Sequence, residues 1–378
     1  MEKRRISAVA QASLRLEYED ESVLTPQVVR IRKVLIVRGA FGEMYEPAWC
    51  RALNDLGIFC EIFDAHTYTP PGILGRVERR VLWGPGIRRL RKALIAKVAD
   101  LRPDATLLYQ GHYFDAQTVE ALKALTFVTG YHNDDPFGSR AKLFRYRFLS
   151  SALRHYDAFH VYRPINEVDA QRLGIPRVGR LMPYYLPWLD YPRALNSDDL
   201  RKWGADVVFA GHVEHDIRVD CLAGAVRAGH KVRIHGEGKY WGRALPKEIY
   251  ETLCPINLAL GEDYRKALCA SKIAAAFFSK WNRDVYTRRS FEIPACGAFL
   301  MAERTPEMRE IFREGEEAEY FSSLEEFLEK VTFYLRNHAV RERVARKGLE
   351  RVRESGHDIH SRMRQWCADV GAWMNTKI

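Results

Sequence analysis

Between Lys33 and Met301 the chain repeats one alternation: a short apolar run, a turn, then a helical pattern. The runs are Lys33-Val-Leu-Ile-Val-Arg38, Ile58 to Phe63, Ala105 to Tyr109, Phe127 to Tyr131, Ala158 to Tyr162, Val207 to Ala210, Val232 to His235, Ile273 to Phe278 and Ala298 to Met301. Runs that are apolar throughout are strands buried on both faces, and strands separated by helices pair in parallel through crossovers. Helical patterns over 86–101, 115–124, 141–154 and about 287–295 fill the gaps, and a long charged pattern over 337–375 is interrupted by Gly356. The expected fold is therefore α/β and doubly wound. At 378 residues it should form two Rossmann-like domains. Met182 to Pro192 holds three prolines in eleven residues and is the expected hinge. The expected division is an extension over 1–30, a first domain over 31–190 and a second over 191–357, with a helix at about 358–378 able to pack back on the first. Such domains hold their ligand in the cleft between them, at the C-terminal ends of both sheets.

Composition removes several classes. Hydrophobic residues are 47% and charged residues 29% of the chain, as in ordinary globular proteins, and no apolar run reaches the ~18 residues that span a bilayer. The first residues lack the apolar core of a signal peptide, so a cytoplasmic location is expected. Seven scattered cysteines with no CxxC pair suggest neither a disulfide framework nor a zinc site. The net charge of +10 rests on 59 basic against 49 acidic residues, 43 of them Arg. Guanidinium suits phosphate, although coding bias explains an arginine excess equally well. No nucleic-acid-binding module is present, and the aromatics do not interleave with the basic residues as a stacking platform requires. No nucleic-acid partner is expected.

Several residues carry chemistry. Arg283, Arg288 and Arg289 crowd one turn and would repel one another without an anion, which a diphosphate supplies. Lys239, after the glycines of His235-Gly-Glu-Gly-Lys, is placed to make a second phosphate contact. Gly211 follows a strand and lets the backbone approach a phosphate at the next helix N-terminus, with Arg218 as a helper. Glu292, opening a short helix, can accept two hydrogen bonds from a ribose diol; its other reading is a charge complementing the helix dipole. Asp134 and Asp135 follow a buried strand that ends at His132, and either carboxylate facing an acceptor would be a general base. Asp before Pro also starts turns. His212 and His215, with Glu214 between them, have no third ligand spaced to complete a site, so no metal is expected. From 76 to 102 there are nine basic residues against two acidic ones, around Val81, Leu82 and Trp83. That composition suits either an anionic membrane surface or a solvated helix face.

The stretch Arg289-Ser-Phe-Glu-Ile-Pro-Ala-Cys-Gly-Ala-Phe-Leu300 resembles the R-x-F-E-x-x-A-x-G segment of GT-B glycosyltransferases, and in particular the CgeB-like, spore-maturation-protein-like group with its group 1 C-terminal domain. Glu310-Ile-Phe, Glu319-Tyr-Phe, Leu324-Glu-Glu-Phe-Leu and Gly356-His-Asp-Ile-His360 extend the likeness over about 205–370. The resemblance implies a GT-B fold, a nucleotide-sugar donor as co-substrate with no other cofactor, and a hydroxyl-bearing acceptor, glycan or lipid-linked, as in polysaccharide biosynthesis. It implies that Arg289 binds the donor diphosphate and that Glu292 and Asp284 are the two acids of an E-x7-E-like pair, with Asp where the family has Glu. It further implies that His132 contacts the donor sugar. The alternative is a catalytically inactive GT-B relic with a structural or carbohydrate-binding role.

Overall fold

The computed structural model describes residues 31–39, 45–68, 71–139 and 143–376. The expected extension over 1–30 and the Ala40 to Gly42 part of the first glycine turn lie outside the described residues. Strands β1 (Lys33–Val37), β2 (Phe59–Phe63), β3 (Ala105–Tyr109), β4 (Phe127–His132), β5 (Ala158–Val161) and β6 (Val178–Arg180) form a parallel sheet in the order β2-β1-β3-β4-β5-β6. Strands β7 (Val207–Ala210), β8 (Val232–His235), β9 (Ile273–Ala276), β10 (Leu300–Glu303) and β11 (Glu319–Phe321) form a second, in the order β11-β10-β9-β7-β8. Each order reverses beside its first strand, at β1/β3 and at β7/β9, and the reversal opens a crevice at the C-terminal strand ends.

Burial explains the pattern. Val34 to Val37 and all five residues of β3 are buried because helices cover both faces of the sheet. Leu35, Val37, Leu108 and Val128 face the helix Pro85–Leu101, which buries Ile87, Leu90, Leu94 and Val98 at three- and four-residue spacing. Val34, Ile36 and Leu107 face the opposite way, into a core that includes Trp49 and Trp366 and continues into the second domain.

Trp366 lies on the helix Ile359–Asn375, which returns to the first domain. Ile359, Met363, Trp366 and Val370 are its buried face. It packs on the helix Glu46–Asp55, donates from Gln365 Nε2 to the Arg180 carbonyl at 2.8 Å and places Asp369 Oδ2 3.2 Å from His160 Nε2. Among the described residues the chain thus crosses between the domains twice. The proline-rich crossing and the one near His357 run side by side, joined by Tyr185 N to the His357 carbonyl (3.1 Å) and Ile359 N to the Tyr185 carbonyl (3.2 Å).

Candidate functional site

Two adjoining pockets open where the strand ends of both sheets meet. One, of about 240 Å³, belongs to the second domain: Gly211 after β7, His235 to Glu237 at the end of β8, Leu258 to Gly261, Tyr264 and Arg265 line it. The other, of about 290 Å³, spans the cleft between Tyr45, Asn133, Asp134, Tyr162 and Arg163 of the first domain and Asn282, Asp284, Thr287 and Arg288 of the second. Arg289 and Glu292 line both, so the short helix Arg289–Ala295 is the wall they share.

Glu292 is buried there with both oxygens engaged. Tyr264 donates to Oε2 at 3.0 Å, and Arg288 lies 2.7 Å from Oε1. The Arg288 ion pair is close but does not have hydrogen-bond geometry, and none of the three guanidinium nitrogens donates to a described group. Instead the buried guanidinium sits 5.2 Å from the ring centroids of Tyr45 and of Tyr184. Arg289 has its Nε buried with no hydrogen-bond partner among the described residues, and the terminal Nη1 lies against Gly211, 3.4 Å from where a β-carbon would stand. The missing side chain at Gly211 therefore leaves room beside this arginine. Beneath the shared wall, Asp190 of the proline-rich crossing forms a buried ion pair with Arg265 (Nε to Oδ1, 2.6 Å) and accepts from Leu186 N at 2.8 Å. Burial, and then the nearby Glu292 charge, push the Asp190 carboxyl up to about 6, against the pull of Arg265.

The expected residues divide three ways. Gly211, Arg288, Arg289, Glu292, Asp284 and Asp134 line the pockets. Asp134 Oδ1 accepts from Asn282 Nδ2 at 3.2 Å across the cleft. Asp284 is held by Arg163, whose Nε donates at 2.6 Å, so this acid ties the domains together as well as facing the cleft. His132, Asp135 and Arg218 are buried just behind. His132 Nδ1 accepts from Asp134 N (3.0 Å), so the neutral ring carries its proton on Nε2, 3.2 Å from His112 Nε2. Asp135 accepts from Phe137 N, Gly138 N, Asn166 and Arg283. Burial alone would raise this carboxyl; Arg283 together with the Phe137 and Gly138 N–H groups offsets it and holds the group below the usual range. Arg218 is committed to both oxygens of Asp216 (2.8 Å each) and to the His212 carbonyl (2.9 Å), bracing the loop after β7. Lys239 is exposed and lies outside both pocket walls. Tyr45, Asn133, Arg163, Asn282, Tyr264 and Arg265 were not anticipated. Of these Arg163 had a readable signal, a charged residue closing a buried strand and followed by a helix-starting Pro164.

The loop between β9 and Arg289 docks on the first domain. Arg283, in the left-handed region at φ 52°, reaches Asp135 (2.5 Å) and Asp169 (2.6 Å), and Tyr286 donates to the Tyr162 carbonyl at 2.8 Å. Backbone strain in a non-glycine residue persists where surrounding contacts fix it, here a two-carboxylate clamp. Arg283→Ala is expected to increase the radius of gyration in small-angle scattering without changing the far-UV spectrum. An unchanged radius would show that Arg163 and Tyr286 suffice to hold the cleft closed.

Residues 218–368 match the model of the glycosyl transferase-like family. Among solved structures the chain is similar to sucrose-phosphate synthase from Thermosynechococcus elongatus (12% identity, TM-score 0.64, covering 89% of this chain and 97% of that one). It is also similar to HepE of Anabaena in complex with UDP and glucose (10%, 0.61, 90% and 100%), and to a glycosyltransferase from Rickettsia africae (10%, 0.65, 92% and 100%). No curated protein sequence matches. The two parallel-sheet domains are those of the GT-B fold, and residues 218–368, most of the second domain and part of the returning helix, are similar to the glycosyl transferase-like family.

Proposed function

We propose that the protein transfers a sugar from a nucleoside-diphosphate donor to an acceptor hydroxyl, with the diphosphate held where the two pockets meet. The observation that carries this is Arg288: a buried guanidinium, ion-paired with Glu292, whose three nitrogens donate a hydrogen bond to no described group, beside the Arg289 Nε in the same condition. Unpaired buried donors are costly, and a diphosphate offers enough acceptors to satisfy them all. The nucleoside would lie in the second-domain pocket, with Glu292 at the ribose, and the sugar in the cleft. As the acceptor oxygen attacks the anomeric carbon, the bond from that carbon to the diphosphate breaks. Arg288 and Arg289 then stabilise the charge left on the phosphate. Asp134 is the carboxylate of the 134–135 pair that lines the cleft, so it would take the acceptor proton if configuration inverts. HepE has been solved with UDP and with UDP-glucose, which makes uridine the first nucleoside to try. The narrower CgeB-like assignment, and an acceptor presented at the inner face of an anionic membrane through 76–102, belong to the same proposal. No helix among the described residues is long and apolar enough to cross a membrane.

Calorimetric titration with UDP, GDP, ADP, CMP and dTDP tests the donor site. At least one is expected to bind, and Arg289→Ala and Glu292→Ala should each weaken it by ~1.5–3 kcal/mol with the fold intact. Binding of none would favour the inactive relic.

A further inference from the structure

The helix Gly72–Val81 is inside out. Its protein-facing side carries Gly75 and Glu78, both buried. Its open side carries Ile73, Leu74, Val77 and Val81, which are 74%, 63%, 49% and 38% exposed. Ile73, Val77 and Val81 follow one another at four-residue steps, and Leu74 begins the adjacent row, so the four form one apolar stripe. A globular helix orients the other way. Glu78 fixes this orientation by accepting from Gly86 N at 2.9 Å, at the start of the next helix, and Gly84 leaves it room: a β-carbon there would stand 2.6 Å from the Glu78 carboxyl carbon. Arg147 adds a hydrogen bond to the Val81 carbonyl. Trp83, 66% exposed, and Phe144, 54% exposed, continue the apolar surface past the end of the helix.

The rim of this surface is basic. Arg76 and Arg80 flank the stripe on the same helix, and Arg88 and Arg89 are exposed on the next, where the Arg88 guanidinium lies 5.7 Å from the Trp83 ring. The one acid of the helix, Glu78, is turned inward. An exposed apolar stripe within a cationic rim complements an anionic lipid surface, with apolar groups entering the acyl boundary and arginines at the headgroups. The helix follows β2, at the C-terminal strand edge along which the cleft opens.

We infer that Gly72–Val81, with Trp83, is a membrane-docking face that inserts Ile73, Leu74 and Val77 into an anionic bilayer. The inference deepens the membrane-presented acceptor proposed above and rests on it. It moves the contact from the basic run as a whole to the apolar stripe. Arg91 and Lys97 of that run are paired within the fold, with Asp115 and Glu61.

The test is co-sedimentation of the full chain with vesicles of phosphatidylcholine alone and of phosphatidylcholine with phosphatidylglycerol. Pelleting is expected only with the anionic lipid and should fall at high salt. Ile73→Gln combined with Val77→Gln should cut it about ten-fold or more, since each substitution removes apolar area from the insertion, while Tm stays the same or rises. No pelleting with either lipid, or wild-type pelleting by the variant, would overturn the inference. Titration of the same variant with free UDP separates the two readings. Lost vesicle binding with intact nucleotide binding is the expected pattern. If the unsubstituted chain binds vesicles but no nucleotide, the donor site fails and the docking face stands.

Discussion

Arg288→Met is expected to weaken nucleoside-diphosphate binding by about 3 kcal/mol, roughly 100-fold, the loss of at least one strong charge-assisted contact in a site shielded from water. The substitution keeps much of the apolar volume between Tyr45 and Tyr184 but removes the cation over both rings. It also removes the cation ion-paired with the buried Glu292 carboxylate, so the single variant should lose stability as well as affinity. Arg288→Met with Glu292→Gln separates the effects: removing the orphaned charge should restore most of the stability, while affinity stays low. Calorimetry and urea denaturation on both variants give the two readouts. Wild-type affinity in the double variant would move the diphosphate away from this wall.

The second large effect concerns the ion pair beneath it. Asp190→Ala should lower the unfolding free energy by about 3–5 kcal/mol at neutral pH, because Arg265 would then be a buried charge without its partner. Both side chains are almost fully buried, so water cannot replace the lost carboxylate. The pH dependence has a definite sign. The Asp190 carboxyl is raised to about 6, so the folded state holds its proton more tightly than the unfolded state does. Its contribution to stability is full below the unfolded value near 4 and is lost as pH rises through about 6. Between pH 7 and 5 the wild type should therefore gain stability relative to Asp190→Ala. Urea midpoints at both pH values check this, and a difference that is constant with pH would mean Asp190 does not titrate there.

Most strands legible in the sequence were those buried on both faces, although the edge strands β2 and β8, only partly buried, were legible too. β1 and β3 are apolar throughout because helices cover both sides. β6 and β11, three residues each at sheet edges, carry Gly179 and Arg180 or Glu319 and could not be read from apolar runs. The site was legible where position alone decides it. Gly211 follows a strand, and Arg288, Arg289 and Glu292 cluster in one short segment. What could not be read was which charges are already paired. Asp135 meets Arg283, 148 residues away, and Asp284 meets Arg163 at a separation of 121. Spacing along the chain shows a carboxylate but not its distant partner. The helix Gly261–Ala270 was missed altogether, and with it Tyr264 and Arg265. In the basic run over 76–102, two of the three apolar residues at its centre, Val81 and Trp83, are exposed. Leu82 is buried, and the exposed stripe begins earlier, at Ile73.

The return of Ile359–Asn375 to the first domain bears on the order in which the molecule is made. Domains generally fold as units while the chain emerges from the ribosome, the N-terminal one first. Here the second sheet and its covering helices come from one continuous stretch, complete once residues up to Glu354 have emerged. The first domain is completed later, because part of the apolar face of Glu46–Asp55 is covered by the helix Ile359–Asn375 with Met363, Trp366 and Val370. During synthesis the later domain can therefore finish before the earlier one, and a nascent chain stalled near residue 355 would still expose that part of the face to chaperones.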